Sequence, residues 1–225
     1  MAVEGFPTDR YSGRGLIVGR SADGESWLQI YWLSGRSENS RNRVLVEEEG
    51  QIRTATADRS KQVDGTFTLY TALCTLDGAQ LVGNGDQVTT VAKALGAGGS
   101  FEQALRTRAV EEDPPIWTPR ISAIVAGEKL TLSKIAKNGH AFFEAAPLEP
   151  GEGLCLHTYR GDGDPILPFD QDPYPVRLEG GAEELAQSSW EKLYPDFRVA
   201  LVVKEIAADG SFRHVIVNRL TPPSS

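Results

Sequence analysis

Apolar and polar residues alternate in short runs along most of the chain, a pattern that predicts strands joined by tight turns. Runs over 15–20 and 27–33 flank Ala22-Asp23-Gly24, a hairpin signal. Runs over 44–48 and 51–55 repeat the pattern around Gly50. Residues 66–76 are rich in Thr and aromatics and predict a longer strand, with a helix over 70–76 as the alternative. A short strand follows at 79–82.

The period then changes. Val88, Val91, Ala92 and Leu95 share one helical face, so a helix is expected over 87–95, capped by Asp86 and broken by the glycines within 96–99. Ser100 opens a second helix over 101–110, with Gln103 placed for a capping box. Strands return at 120–126, 129–136, 141–146, 154–159, 198–206 and 211–219, interrupted by one helix over 182–193. The last two strands flank Ala208-Asp209-Gly210, another hairpin signal, and residues 161–175 form a long loop rich in Pro and Gly. Strands on both sides of a helical pair, joined mostly by hairpins, predict an α+β fold. Two antiparallel sheets stacked face to face, with helices outside, would satisfy its core. One domain over residues 1–225 is expected.

Composition narrows the function. With 40% hydrophobic and 24% charged residues, the chain matches an ordinary soluble globular protein. No apolar run approaches the ~20 residues needed to span a bilayer, and the first ten residues have no signal-peptide pattern. A cytoplasmic location with no membrane partner is therefore expected. A net charge of −8 speaks against a nucleic-acid partner, which needs a broad basic face. Cys74 and Cys155 lie far apart in apolar runs and read as small buried residues. Neither these cysteines nor His140, His157 and His214 give a zinc-type spacing, and nothing points to a carboxylate-bound magnesium. No metal and no cofactor is expected.

Against that acidic background one stretch stands out. Residues 34–43 carry three arginines and one glutamate, a local +2 set among Ser and Asn. Arg36, Ser37, Asn42 and Arg43 supply the donor types that grip a phosphate or carboxylate. The plainer reading is a solvated loop whose arginines pair with Glu47, Glu48 and Glu49. Four other positions carry a similar ambiguity. Tyr70 is a core aromatic or a group at a cleft. Asn84-Gly85-Asp86-Gln87 is a turn with an N-cap, and Asn84 with nearby amides is also placed to meet a ligand. The segment from Glu111 to Arg120 is an exposed acidic connection or a rigid mount for an acid–base carboxylate. His157 reads as structural before it reads as a ligand contact. No Gly-x-Ser-x-Gly elbow, P-loop or dinucleotide fingerprint is present.

Taken in order, Gly13-Arg14-Gly15 to Gly19, Gly35-Arg36-Ser37 with Asn42-Arg43, Tyr70, Asn84-Gly85, residues 111–113, Thr118-Pro119-Arg120-Ile121 and residues 151–159 resemble the archaeal-type IMP cyclohydrolase family. The resemblance implies a four-layer α-β-β-α sandwich similar to the N-terminal-nucleophile hydrolases. No Ser, Thr or Cys stands where processing would free it as a nucleophile. The implied reaction closes the purine ring of 5-formamidoimidazole-4-carboxamide ribonucleotide to give IMP and water, and needs no protein nucleophile, metal or cofactor. The resemblance carries over Arg36, Arg43, Asn84 and Arg120 as substrate-binding residues, Glu111 as proton shuttle and Tyr70 as donor to the developing oxyanion. Residues 38–41 are additional to the archaeal pattern, so Arg41 and Arg43 both remain candidates for the phosphate. Self-association into a homo-oligomer is a further implication. The competing readings are a non-catalytic purine-nucleotide-binding protein and an amide hydrolase on the same layers.

Overall fold

The computed structural model describes residues 2–61, 69–76, 78–161 and 165–222. In chain order the elements are β1 (Val3–Glu4), β2 (Arg14–Arg20), β3 (Trp27–Ser34), α1 (Glu38–Arg41), β4 (Arg43–Glu48), β5 (Gln51–Thr56), β6 (Thr71–Leu76), β7 (Ala79–Gly83), α2 (Gln87–Gly96), α3 (Phe101–Arg106) and β8 (Arg120–Ala126). They continue with β9 (Lys129–Ala136), β10 (Gly139–Glu144), β11 (Glu152–His157), β12 (Tyr159–Arg160), β13 (Leu167–Pro168), β14 (Tyr174–Leu178), α4 (Ala182–Lys192), β15 (Arg198–Ile206) and β16 (Phe212–Asn218). The fold is α+β, as the alternation of strand and helix periods implies.

Two seven-stranded sheets account for most strands. One runs β1-β14-β11-β2-β3-β15-β16, the other β10-β9-β8-β7-β6-β5-β4, and every neighbouring pair is antiparallel. Period-two patterning sorts side chains to two faces. Leu16, Val18, Tyr31, Leu33 and Val202 of the first sheet pack with Leu73, Val82, Ile121, Ala123 and Leu132 of the second in a shared core. Ile17, Ile30, Trp32 and Leu201 point the other way and bury Leu185 and Ala186 of α4. Leu81 and Ile124 do the same for Val88 and Val91 of α2 and Leu105 of α3. β3 is buried on both faces, which explains why its sequence reads as a continuous apolar run.

Several sequence expectations shift. The alternative helix over 70–76 is overturned: Thr71–Leu76 is strand, and its Leu73–Leu76 part pairs with β7. Residues 66–68 of the expected longer strand lie outside the described residues. The second helix ends at Arg106 rather than 110, and Ser100 accepts from the Gln103 amide in half of the expected box. The 161–175 stretch is not loop throughout, because Leu167–Pro168 pairs with β12 and Tyr174 opens a strand that pairs with β11. Asp86 stands at the start of α2 without a side-chain capping bond, because both its oxygens are taken by arginines. Among the described residues no helix is long and apolar enough to cross a membrane.

Candidate functional site

At one end of the stacked sheets lie the start of β2, the end of β3, the start of β4, the start of β6 and the end of β7. There Arg14 reaches from the first sheet toward the second. Its Nη1 and Nη2 donate to Oε1 and Oε2 of Glu111 at 2.9 and 2.8 Å, and Nη1 also donates to the Asn84 carbonyl at 2.6 Å. Both partners are buried, with side chains 9% and 4% exposed. Burial works against the Arg14 cation, but the Glu111 carboxylate more than offsets it and holds the guanidinium well above its ordinary pKa. This two-pronged geometry is the strong form of the pair.

Tyrosines surround it. The Tyr31 and Tyr70 hydroxyls lie 2.7 Å apart, one from each sheet's side of the core. Tyr11 stacks on Tyr159 with ring centroids 5.6 Å apart, and the Arg36 guanidinium sits 5.3 Å from the Tyr11 ring centre. Burial raises the Tyr11 pKa while Arg43, Arg14 and Arg36 pull it down, so all three cations face this phenol. Burial likewise pushes Tyr159 up to about 12. Its hydroxyl is hydrogen-bonded to Thr118, which in turn binds the Asp113 carboxylate, and the Thr118 amide donates to Asp113 at 2.7 Å. Those bonds, with the Glu111 amide donating to the Thr118 carbonyl at 3.2 Å, close the 111–118 segment on itself and fix Glu111.

Two glycines make the approach possible. At Gly13, with φ +72°, a Cβ would stand 2.3 Å from the Thr158 hydroxyl and the Tyr159 ring. At Gly85 it would stand 2.9 Å from Arg120 Nη1. A cavity of about 700 Å³ lies next to Tyr70 and is lined by Thr54, Asp86, Arg53, Lys93 and Arg108 among others; Arg14, Glu111, Arg36 and Arg43 are not part of its lining.

The sequence-derived candidates distribute as follows. Glu111, Tyr70, Arg36 and Arg43 converge on this end. Arg43 is buried, its Nε donating to the Ser40 carbonyl at 2.8 Å. Arg41 instead lies on α1, beside Glu38, Asp58 and Lys61, in a separate groove. Ser37 is exposed and caps α1, accepting from the Ser40 amide at 3.1 Å. Asn42 is buried, and its amide group brackets Asp58 with two bonds of 2.8 Å. Asn84 is fully buried: its side chain accepts from the Ile121 amide and Gln87 at 2.9 Å and donates to the Pro119 carbonyl at 2.9 Å. Its contribution to the site is therefore the backbone carbonyl that orients Arg14. Arg120 is clamped by Asp86 at 2.7 Å, Gln87 at 3.0 Å and the Ala109 carbonyl at 2.9 Å. Among the described residues no ion pair joins Arg41 or Arg43 to Glu47, Glu48 or Glu49; Glu48 pairs with Arg53 at 3.2 Å.

Sequence reasoning named no role for Arg14, Tyr11, Tyr31 or Tyr159. One signal for Arg14 was available: an arginine opening a strand that is otherwise apolar, between two glycines, requires a buried carboxylate partner. His157 is buried against Phe169, centroids 4.0 Å apart, with Nδ1 2.7 Å from the Tyr159 carbonyl, and burial lowers its pKa to about 4. Both cysteines are buried and free, and burial lifts the Cys155 thiol to about 12. Among the described residues no three His, Cys, Asp or Glu gather as metal ligands.

What the arrangement offers chemically is a carboxylate fixed by an arginine, a phenol hydroxyl beside it, and further guanidiniums for an anion. No curated protein matches the chain. The family model described as IMP cyclohydrolase-like protein matches residues 11–210, spanning all these residues, and the chain belongs to that family.

Proposed function

We propose that the protein is an IMP cyclohydrolase, closing the ring of 5-formamidoimidazole-4-carboxamide ribonucleotide without a cofactor. The observation that carries this reading is the buried Arg14–Glu111 pair, whose guanidinium interacts with Tyr70 and lies with Arg36 and Arg43 around Tyr11. The substrate's carboxamide nitrogen attacks its own formyl carbon. One proton leaves that nitrogen, one leaves the formamide nitrogen, and both depart with the formyl oxygen as water. Glu111, held by Arg14, takes the proton from the attacking nitrogen and passes it to the leaving oxygen. Tyr70 donates to the oxyanion that forms on the formyl carbon. Arg36 and Arg43 hold the 5′-phosphate dianion. Enforced proximity supplies the rest, since oriented intramolecular reactions gain up to ~7–11 kcal/mol.

The packing supports the same reading. Helices α2 and α3 outside one sheet and α4 outside the other suit a four-layer α-β-β-α sandwich of the N-terminal-nucleophile hydrolase kind, in one domain, with the reaction lodged between the sheets. A cytoplasmic enzyme of purine synthesis that self-associates completes the proposal. The direct test follows IMP formation by absorbance after mixing purified protein with the formamido ribonucleotide. A rate no faster than the spontaneous one rejects it, and IMP binding without turnover leaves a nucleotide-binding protein.

A further inference from the structure

We infer that Tyr31 is a positioning residue: it donates its hydroxyl hydrogen to the Tyr70 oxygen and so forces the Tyr70 hydrogen to face the reacting group. The inference rests on the proposed role of Tyr70 as oxyanion donor. Tyr31 is 0% exposed, enclosed by both sheets, and its hydroxyl lies 2.7 Å from that of Tyr70. Either oxygen is able to donate across this distance, and the surroundings of the two differ. For Tyr31, the Tyr70 hydroxyl is the one hydrogen-bond partner among the described residues. If Tyr70 were the donor, the Tyr31 hydrogen would be buried with no acceptor among the described residues, an arrangement folded proteins avoid. Tyr70 keeps 8% exposure against 0% for Tyr31, so of the two hydrogens its own is the one less completely enclosed.

Burial raises the Tyr31 pKa, and the neighbouring Tyr70 adds to it, so Tyr31 keeps its hydrogen. Arg14 and Arg43 act on Tyr31 in the opposite sense, and Arg14 also interacts with Tyr70. A phenol that accepts one hydrogen bond also donates a stronger one.

Two measurements test this. Neutron diffraction from perdeuterated crystals locates the hydroxyl deuterium directly. The expected position is on the Tyr31 oxygen, along the line to Tyr70. A deuterium on Tyr70 aimed at Tyr31 overturns the inference whether or not the protein turns over. Kinetics then compare Tyr31→Phe, Tyr70→Phe and the double variant. Tyr31→Phe should lower kcat roughly three- to tenfold, the scale of one hydrogen bond, with KM unchanged. That loss should vanish in the Tyr70→Phe background. A loss of equal size in both backgrounds, or one confined to KM, means a structural role and rejects the inference. A wild-type protein that forms no IMP rejects the proposed function instead, and the deuterium position still decides the direction of the bond.

Discussion

Arg14, the first residue of β2, and Glu111, in the segment leading into β8, meet through parallel bonds of 2.9 and 2.8 Å and tie the two sheets together at the site. Neither charge has much access to water, so each depends on the other. Replacing Arg14 with Met should therefore destabilise the protein by about 3–5 kcal/mol, because an unpaired carboxylate is left buried. Thermal denaturation at pH 7 measures it. A loss below 1 kcal/mol means that the pair is solvated in solution.

Glu111→Gln keeps the shape and removes the charge. Loss of an acid–base group typically costs a factor of ~10²–10⁴, so kcat should fall by at least a hundredfold. IMP binding should survive, since the phosphate is assigned to other residues. Stopped-flow absorbance gives the first quantity and calorimetric titration the second. Retained turnover removes Glu111 from the chemistry.

The phosphate assignment separates neighbours that sequence could not. Arg43 faces the Tyr11 phenol, whereas Arg41 lies in a groove with Glu38 and Asp58. Arg43→Ala and Arg36→Ala should weaken IMP binding about tenfold to a hundredfold each, the scale of a charge-assisted bond. Arg41→Ala should change it less than twofold. Equal losses at positions 41 and 43 reject the placement.

Asn84 shows a different use of a site-like residue. All its side-chain bonds go to Ile121, Gln87 and Pro119. Asn84→Ala leaves those buried groups unsatisfied at about 1–3 kcal/mol apiece, so the melting temperature should drop. The folded fraction should bind IMP with little change in Kd. A large Kd effect in protein of unaltered melting temperature would make the side chain a direct contact after all.

How legible was this in the chain? The strands were legible because their alternation is set by burial on one or both sheet faces, as at Trp27–Ser34. α1 was not, since its four residues bury nothing and its only strong signal is the Ser37 cap. β14 hides in a proline-rich stretch and exists because β11 and β1 flank it, the latter far away in sequence. The site divides the same way. Ser, Asn and Arg within residues 36–43 look like a donor set, yet Ser37 caps α1 and Asn42 ties down Asp58. At Arg14 the local pattern signals a buried partner without naming it, because its carboxylate is 97 residues distant. Tyr31 carried no signal beyond its place in an apolar run.

His157 supplies a pH dependence with a definite sign. Buried against Phe169, it titrates near 4 in the folded protein, against 6.5 when unfolded. The unfolded chain therefore binds the proton first as pH falls. Stability is complete above about pH 6.5, declines through the interval down to about 4, and is level below it. Each unit of difference is worth ~1.4 kcal/mol, so the total is roughly 3 kcal/mol. Urea denaturation at pH 7.5, 5.5 and 4.5 should trace this decline in the wild type. In His157→Gln the slope between 6.5 and 4 should flatten by about that amount, although the variant is less stable at pH 7.5. Parallel curves for the two proteins would mean that His157 reaches water and titrates normally, and that Phe169 does not seal the edge of the core.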